Sequence, residues 1–394
     1  MSYGINRGLL SLLVISAGAF VSCSDDESAA LPRPAAFDLS LSVSRVSQTS
    51  AVVRVESSSD RGTYYCGFLP REQYTDDASL KLSDMLRFEA LAGERGVPTE
   101  EFVRDTLCSG DSTREFSSLV PGVTYLAYAY QLTASGFAQQ PVVTEEFTTT
   151  GYGEIQVGDF YMSDGTIVGR DEPLTDAQRS QCVGIVFYTG DPTSQDATLK
   201  REHPGCTHGL VVALSGEDGI QWCANGAKFI NNWVKKDGRF MEIWFGDKEG
   251  TDQPYNQIRG YNNTRALEAY NEEASPVDEV VAVSWVVKYR SEVALPFSTS
   301  DWYLPSLKEG SLLIAGAYDG DIFHIRASDN LYANREIVSA SLEKADGEPI
   351  GEFGGFWSST EHSANIAMQY CANGCNVGDN KFSELSSLRP IFAF

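Results

Sequence analysis

The sequence predicts a β-rich chain in two parts, an all-β sandwich carrying a helical insertion and then a larger α+β domain. Three observations predict it. Leu39, Leu41 and Val43 alternate with polar residues, and 51–55 and 63–68 continue in β-branched and aromatic residues. Gly151-Tyr152-Gly153 then breaks the pattern. Beyond it the spacing turns irregular, and unbroken apolar runs at 184–188 and 209–214 read as strands buried on both faces.

Before the first strand, Arg7 precedes a mostly apolar run from Leu9 to Val21, interrupted by Ser11, Ser16 and Gly18. A membrane span needs roughly 20 apolar residues; this run has the length of a signal-peptide core. It closes on Phe20-Val21-Ser22-Cys23, which resembles a bacterial lipobox. Residues 1–22 are therefore expected to be a lipoprotein signal peptide, with Cys23 the acylated residue. Residues 23–37 are expected to be an acylated tether, stiffened where Pro32 and Pro34 flank Arg33. Ser24-Asp25-Asp26-Glu27 resembles the acidic export tag of surface lipoproteins, which implies the outer membrane and the cell surface, with the lipid as the only membrane contact.

A formal charge of −24 disfavours nucleic acid and anionic membrane surfaces, both of which need clustered Lys and Arg. The 42% hydrophobic content excludes wholesale disorder. Of eight cysteines, Cys23 is assigned to the anchor, and the odd remainder cannot all pair within the chain.

The first domain is placed at 38–150. Its later strands fall at 115–118, 124–132 and 142–148, and an insertion occupies 72–108. There Leu82, Met85 and Leu86 share a helical face by spacing. A second helix starts at Thr99, with Thr99 as the cap, Glu100 and Glu101 in the first turn, and Val103 and Leu107 on one face. Cys66 and Cys108 bracket the insertion; a disulfide there would close a loop of about 40 residues. Leu119-Val120-Pro121-Gly122-Val123-Thr124-Tyr125 resembles the L-x-P-G-x-x-Y segment leading into the sixth strand of fibronectin type III domains. The resemblance implies a fibronectin type III-like sandwich whose tyrosine locks the corner between sheets.

In the second domain, 151–394, Ser163-Asp164-Gly165-Thr166 marks a turn and Gly260-Tyr261-Asn262 the start of a helix. Ser306 and Glu309 form a capping box. The order Trp302-Tyr303-Leu304-Pro305-Ser306, then Trp357-Ser358-Ser359-Thr360-Glu361, then Arg389-Pro390 resembles FISUMP-type domains of bacterial surface lipoproteins. That resemblance implies a C-type-lectin-like fold. Trp302 and Trp357 read as core anchors, Ser358 to Thr360 as a strand edge, and Arg389 as the partner of a carboxylate. The valine-rich run 280–287 prefers a strand by propensity, whereas the resemblance implies a helix; we take the helix, since tertiary context overrides propensity.

Four histidines and no H-E-x-x-H, phosphate-binding glycine loop or G-x-S-x-G leave no catalytic residue to single out. His203, Cys206, His208 and Cys223 do not match a zinc spacing. No metal or cofactor is expected, and no enzymatic activity. Cys371-Ala372-Asn373-Gly374-Cys375 reads as a loop-closing disulfide or a redox pair. The polar stretch between Trp357 and Arg389 is the expected ligand loop, through Glu361, His362, Asn376, Asp379 and Asn380. The function expected is a lipid-anchored surface protein that binds a glycan or a host or matrix protein. The alternatives are a structural or accessory subunit of a surface appendage, and a surface enzyme of unknown activity.

Overall fold

The computed structural model describes residues 36–136, 141–224, 228–274, 277–327, 331–351 and 354–394. The expected signal peptide, Cys23 and nearly all of the tether lie outside the described residues. The chain divides into two compact units. One takes the chain up to Ser117 with Val123–Thr149, the other Ser118–Gly122 with Thr150–Phe394.

The first unit runs β1 (Leu39–Ser44), β2 (Ala51–Ser57), β3 (Thr63–Pro70), α1 (Asp77–Arg95), α2 (Thr99–Thr106), β4 (Cys108–Ser109), β5 (Ser112–Phe116), β6 (Thr124–Gln131) and β7 (Val143–Thr148). Two antiparallel sheets result, in the orders β1-β2-β5 and β4-β3-β6-β7. The β2 strand shows the alternation read from the sequence, with Ala51, Val53 and Val55 buried. Phe68 on β3 meets Phe116 on β5 and Tyr125 on β6, with ring centroids 4.7 and 5.8 Å apart. The opposite face of β3 and β6 is covered by the helices, where Leu80, Phe88, Ala92, Phe102 and Val103 pack with Tyr128 and Tyr130. Burial on both faces is why β6 reads as a nearly unbroken apolar run.

The structure corrects the face assigned to α1. Leu82 and Leu86 are 62% and 57% exposed, and the buried stripe is Leu80, Asp84, Phe88 and Ala92. A carboxylate tolerates that stripe because it is saturated. Tyr128 donates its hydroxyl to the two oxygens of Asp84 at 2.8 and 2.9 Å, Tyr130 donates at 3.0 Å, and Arg87 Nη2 donates at 2.7 Å. Burial nevertheless holds the Asp84 carboxyl above its ordinary pKa. Thr99 is the first residue of α2 rather than its cap; Pro98 precedes it without a side-chain hydrogen bond. Cys66 and Cys108 are both free thiols here, yet near enough to each other that the Cys108 charge helps raise the Cys66 pKa. Cys108 sits opposite Tyr64, while Cys66 faces Ala129 on the next strand over.

The second unit contains β8 (Phe160–Met162), β9 (Ile167–Val168), α3 (Asp176–Gln181), β10 (Cys182–Thr189), α4 (Ala197–Glu202), β11 (Gly209–Ala213) and α5 (Asn231–Asp237). It continues through α6 (Gly260–Glu273), α7 (Val281–Glu292), α8 (Leu307–Ala315), α9 (Ala333–Lys344), β12 (Gly355–Glu361), β13 (Ile366–Cys371), β14 (Asn376–Asn380) and β15 (Ile391–Ala393). A five-stranded antiparallel sheet has the order β15-β11-β10-β8-β9, and a smaller one β12-β13-β14. Ile185, Phe187, Leu210 and Val212 pack on one side with Leu312, Leu313, Val338 and Leu342 of α8 and α9. Val186, Val211 and Phe392 pack on the other with Leu267 of α6 and Val283 and Val286 of α7. The larger sheet is thus buried on both faces, which accounts for the unbroken apolar runs.

The valine-rich run is helical for a visible reason. Val280, Val283 and Val286 are three apart and all buried, so one helical face delivers them to the core, where a strand would scatter them over two faces. The two tryptophan motifs meet. Trp302 Nε1 donates to the Val293 carbonyl at 2.9 Å and Trp357 Nε1 to that of Ile220 at 2.7 Å. Ser359 donates its backbone N–H to the Pro305 carbonyl at 2.8 Å, and Leu307 donates its N–H to Thr360 Oγ1 at 3.1 Å. β12 is an outer strand of its sheet, yet Ser358, Ser359 and Thr360 are buried: the Pro305–Leu307 segment bonds to Ser359 and Thr360, and the Ser358 carbonyl accepts Trp222 Nε1 at 2.9 Å. The Ser306–Glu309 capping box is formed. Arg389 lies 3.5 Å from the Glu348 carboxylate, but its shorter contacts are to backbone carbonyls, Glu348 at 2.7 and 2.8 Å and Leu214 at 3.0 Å.

Candidate functional site

The stretch expected to be one polar loop is not a loop. It forms a hairpin of β12 and β13 followed by β14, and most of its polar groups are committed internally. Glu361 ends β12 with its side chain fully buried. It forms an ion pair with Lys381 and accepts the backbone N–H groups of Ile230 and Asn231 at 2.9 and 2.7 Å. Burial holds the Glu361 carboxyl above its ordinary pKa despite those partners. It is a clamp between β12 and the start of α5, and the assignment of Glu361 as a ligand contact is corrected accordingly.

Asn376 is half-buried. Its amide donates to the Ile322 carbonyl and its oxygen accepts Ser311 Oγ, both at 3.1 Å. Asp379 accepts Gln369 Nε2 from the neighbouring strand at 3.1 Å. These groups hold the sheet. His362 and Asn380 are exposed. Cys375 is a free thiol, so no disulfide joins it to Cys371. The two nonetheless share a backbone hydrogen bond, Cys371 N to Cys375 O at 2.8 Å, at the tip of the β13–β14 hairpin.

His362 leads to residues that the sequence reading missed. The segment 243–245 runs along the outer edge of β12: Glu361 N–H donates to the Ile243 carbonyl at 2.9 Å and Phe245 N–H to the Glu361 carbonyl at 2.8 Å. Alternation along that segment buries Ile243 and turns Trp244 away from it. Trp244 Nε1 donates to the His362 carbonyl at 3.1 Å, and Phe229 meets the indole edge-on at 6.1 Å. The His362 ring lies 5.3 Å from that of Phe245, which stacks on Tyr255 at 4.5 Å and meets Phe323 at 5.2 Å. Phe229, Trp244, Phe245 and Phe323 are all half-buried. The signal was present as the dense aromatic run Phe240, Trp244 and Phe245 directly before the acidic turn Asp247-Lys248-Glu249-Gly250-Thr251-Asp252. That turn folds back onto the aromatic column, since Gly250 N–H donates to the Tyr255 hydroxyl at 3.0 Å. Among the described residues, no three His, Cys, Asp or Glu side chains are grouped to hold a metal ion.

The chain is similar to a fimbrium tip subunit. That protein, named Fim1C, is from Bacteroides ovatus and is 25% identical over 236 residues, 54% of this chain and 41% of the relative. The chain therefore spans about two fifths of the length of the curated relative it matches. No family model matches. Among solved structures, a fimbrial protein from Bacteroides ovatus gives a TM-score of 0.49 at 18% identity, covering 72% of this chain and 59% of that one. The sensor domain of the anti-sigma factor RsgI4 of Pseudobacteroides cellulosolvens gives 0.17 at 11% identity, over 29% and 95% respectively. Among the described residues no helix is long and apolar enough to cross a membrane.

Proposed function

We propose that the chain is a subunit of a fimbrium-type surface appendage that works by binding rather than by catalysis, and that it is exported as a lipoprotein acylated at Cys23. The observation that carries this reading is the similarity to the fimbrium tip subunit. It moves the appendage reading ahead of a free-standing surface adhesin. The three-on-four arrangement of antiparallel strands, with Tyr125 at the start of β6 stacked on Phe147 at 5.7 Å, supports a fibronectin type III-like first unit. The joining of the two tryptophan motifs through Pro305–Leu307, with β15 paired to β11 at one edge of the larger sheet, supports a C-type-lectin-like second unit. Contact with an extracellular ligand through the second unit is favoured by the half-exposed aromatic face around Trp244.

Shearing filaments from intact cells and probing the purified fraction tests the proposal. Enrichment of the chain with the filaments supports it, and a chain that stays wholly with filament-free membranes sinks it. Cys23→Ala examines the anchor separately: release of the chain from membranes is expected, and retention would remove the lipid from the account.

A further inference from the structure

We infer that Cys371 and Cys375 are a reversible thiol–disulfide pair that braces the tip of the β13–β14 hairpin. The inference is independent of the appendage reading. Register puts the two residues opposite each other. Tyr370 and Asn376 are partners in the β13–β14 ladder. One step further out, Cys371 donates its N–H to the Cys375 carbonyl, and Gly374 donates its N–H to the Cys371 carbonyl, both at 2.8 Å. Gly374 has a φ of 75° and is the left-handed residue of a bulged three-residue turn. Opposed residues on antiparallel strands point to the same face, and both cysteines border one small cavity against Ser311, Ile314 and Ala315 of α8. The turn is also held from outside. Arg335 Nη1 donates to the Ala372 carbonyl at 2.9 Å, the Tyr332 hydroxyl donates to the Asn373 carbonyl at 3.3 Å, and Ala372 N–H donates to the Gly354 carbonyl at 3.1 Å. A fixed backbone thus keeps the two thiols facing each other.

Spacing and access decide what the pair does. Opposed residues at a hydrogen-bonded position have Cα atoms about 5.5 Å apart, within the span of about 4.4–6.8 Å that a disulfide bridges. Their Cβ atoms lie about 5.5 Å apart as well, whereas a disulfide holds them at about 3.8 Å. Closing the bond therefore strains the hairpin tip, and a strained, accessible disulfide is readily reduced. Such a bond opens and closes with the surrounding thiols, where an unstrained one would stay shut. The other cysteines of this unit do not compete. Cys182, Cys206 and Cys223 are buried, and burial pushes the Cys182 thiol up to about 12. Cys371 and Cys375 are only partly buried. Oxidation by a low-molecular-weight disulfide such as oxidised glutathione runs in two exchanges. One cysteine, as thiolate, attacks a glutathione sulfur, displaces one glutathione thiolate and is left in a mixed disulfide. The second thiolate attacks the protein sulfur of that bond and displaces the other glutathione. Two electrons pass from the dithiol to the oxidised glutathione, and the two thiol protons end on the two reduced glutathiones.

The test equilibrates the full-length folded chain, in detergent, with buffers of graded ratios of oxidised to reduced glutathione. Each sample is quenched with acid, alkylated and peptide-mapped without reduction. In excess oxidised glutathione, Cys371 and Cys375 are expected within one peptide, two hydrogens lighter than the dithiol, while Cys182, Cys206 and Cys223 stay thiols. In excess reduced glutathione the link should open. Cys371→Ser removes the second exchange, so Cys375 should accumulate as the glutathione adduct at least tenfold above its level in the wild type. Cys375→Ser should do the same at Cys371, which keeps the test open if one variant fails to fold. Four results would overturn the inference: neither thiol oxidised, an adduct that persists in the wild type, Cys375 bridged to any cysteine other than Cys371, or a Cys371–Cys375 bond that survives excess reduced glutathione.

Discussion

Glu361 and Lys381 are twenty residues apart and form an ion pair in which neither side chain has any solvent exposure. Lys381 also donates to the Lys228 carbonyl at 2.9 Å and lies over the Trp222 ring at 4.8 Å. The pair ties β12, the segment after β14 and the start of α5 into one piece. Removing one partner strands a buried charge, at a cost of about 3–5 kcal/mol. Lys381→Met is therefore expected to destabilise the protein by that amount in denaturant unfolding. Glu361→Gln with Lys381→Met should recover part of the loss, because the amide oxygen still accepts from Ile230 or Asn231. A double variant no better than the single one would contradict the pairing.

A second buried acid sets a pH dependence. Glu309 accepts the Ser306 N–H and the Tyr303 hydroxyl, at 2.6 and 3.0 Å, in a fully buried site, and burial pushes its pKa up to about 7. Its folded-state pKa is thus raised above the ordinary 4.5. The protonated form is favoured by folding, so this contribution is full below about pH 4.5 and is lost as pH rises through about 7, a difference of about 3 kcal/mol. Stability should accordingly fall between pH 5 and pH 8. Glu309→Gln keeps a capping-box residue, since its oxygen can accept from Ser306 while its NH2 donates to Tyr303, and it should flatten that slope. Equal slopes for wild type and variant in that window would show that Glu309 does not titrate as described.

The α1 helix gives a test of face. Asp84→Ala leaves the buried hydroxyls of Tyr128 and Tyr130 without their acceptor, and a loss of about 2–3 kcal/mol is expected. Leu82→Ser and Leu86→Ser should each stay within about 0.5 kcal/mol of wild type, as surface changes do. Thermal melts that reverse this order would restore the face suggested by the leucine spacing.

Thiol labelling follows from burial. The Cys66 thiol is buried, which pushes its pKa up to about 12, whereas Cys375 is only partly buried. Brief alkylation of the folded protein should therefore mark Cys375 well before Cys66, and unreduced peptide maps should contain no Cys66–Cys108 bridge. A recovered bridge would reinstate the pairing suggested by the sequence.

Much of the frame was legible because periodicity reports burial directly. The alternation in β2, the unbroken runs of β10 and β11, and the Ser306–Glu309 cap all stand in the structure. What could not be read was which polar residues are satisfied inside. Asp84 occupies a core stripe because two tyrosines from a strand over forty residues away reach it, and Glu361 looked like loop chemistry because its lysine comes from the far end of the next two strands. The candidate binding face was missed for a related reason. Trp244 and His362 are brought together by backbone pairing between an irregular segment and the outer edge of β12, which no local pattern encodes.

The most direct measurement of the central claim is where the chain sits on the cell. Immunogold labelling of intact cells with an antibody to the second unit should place gold on surface filaments, concentrated at their ends if the chain shares the position for which its Bacteroides ovatus relative is named. Gold spread over the cell envelope with none on filaments, in cells whose filaments are plainly visible, would contradict the account.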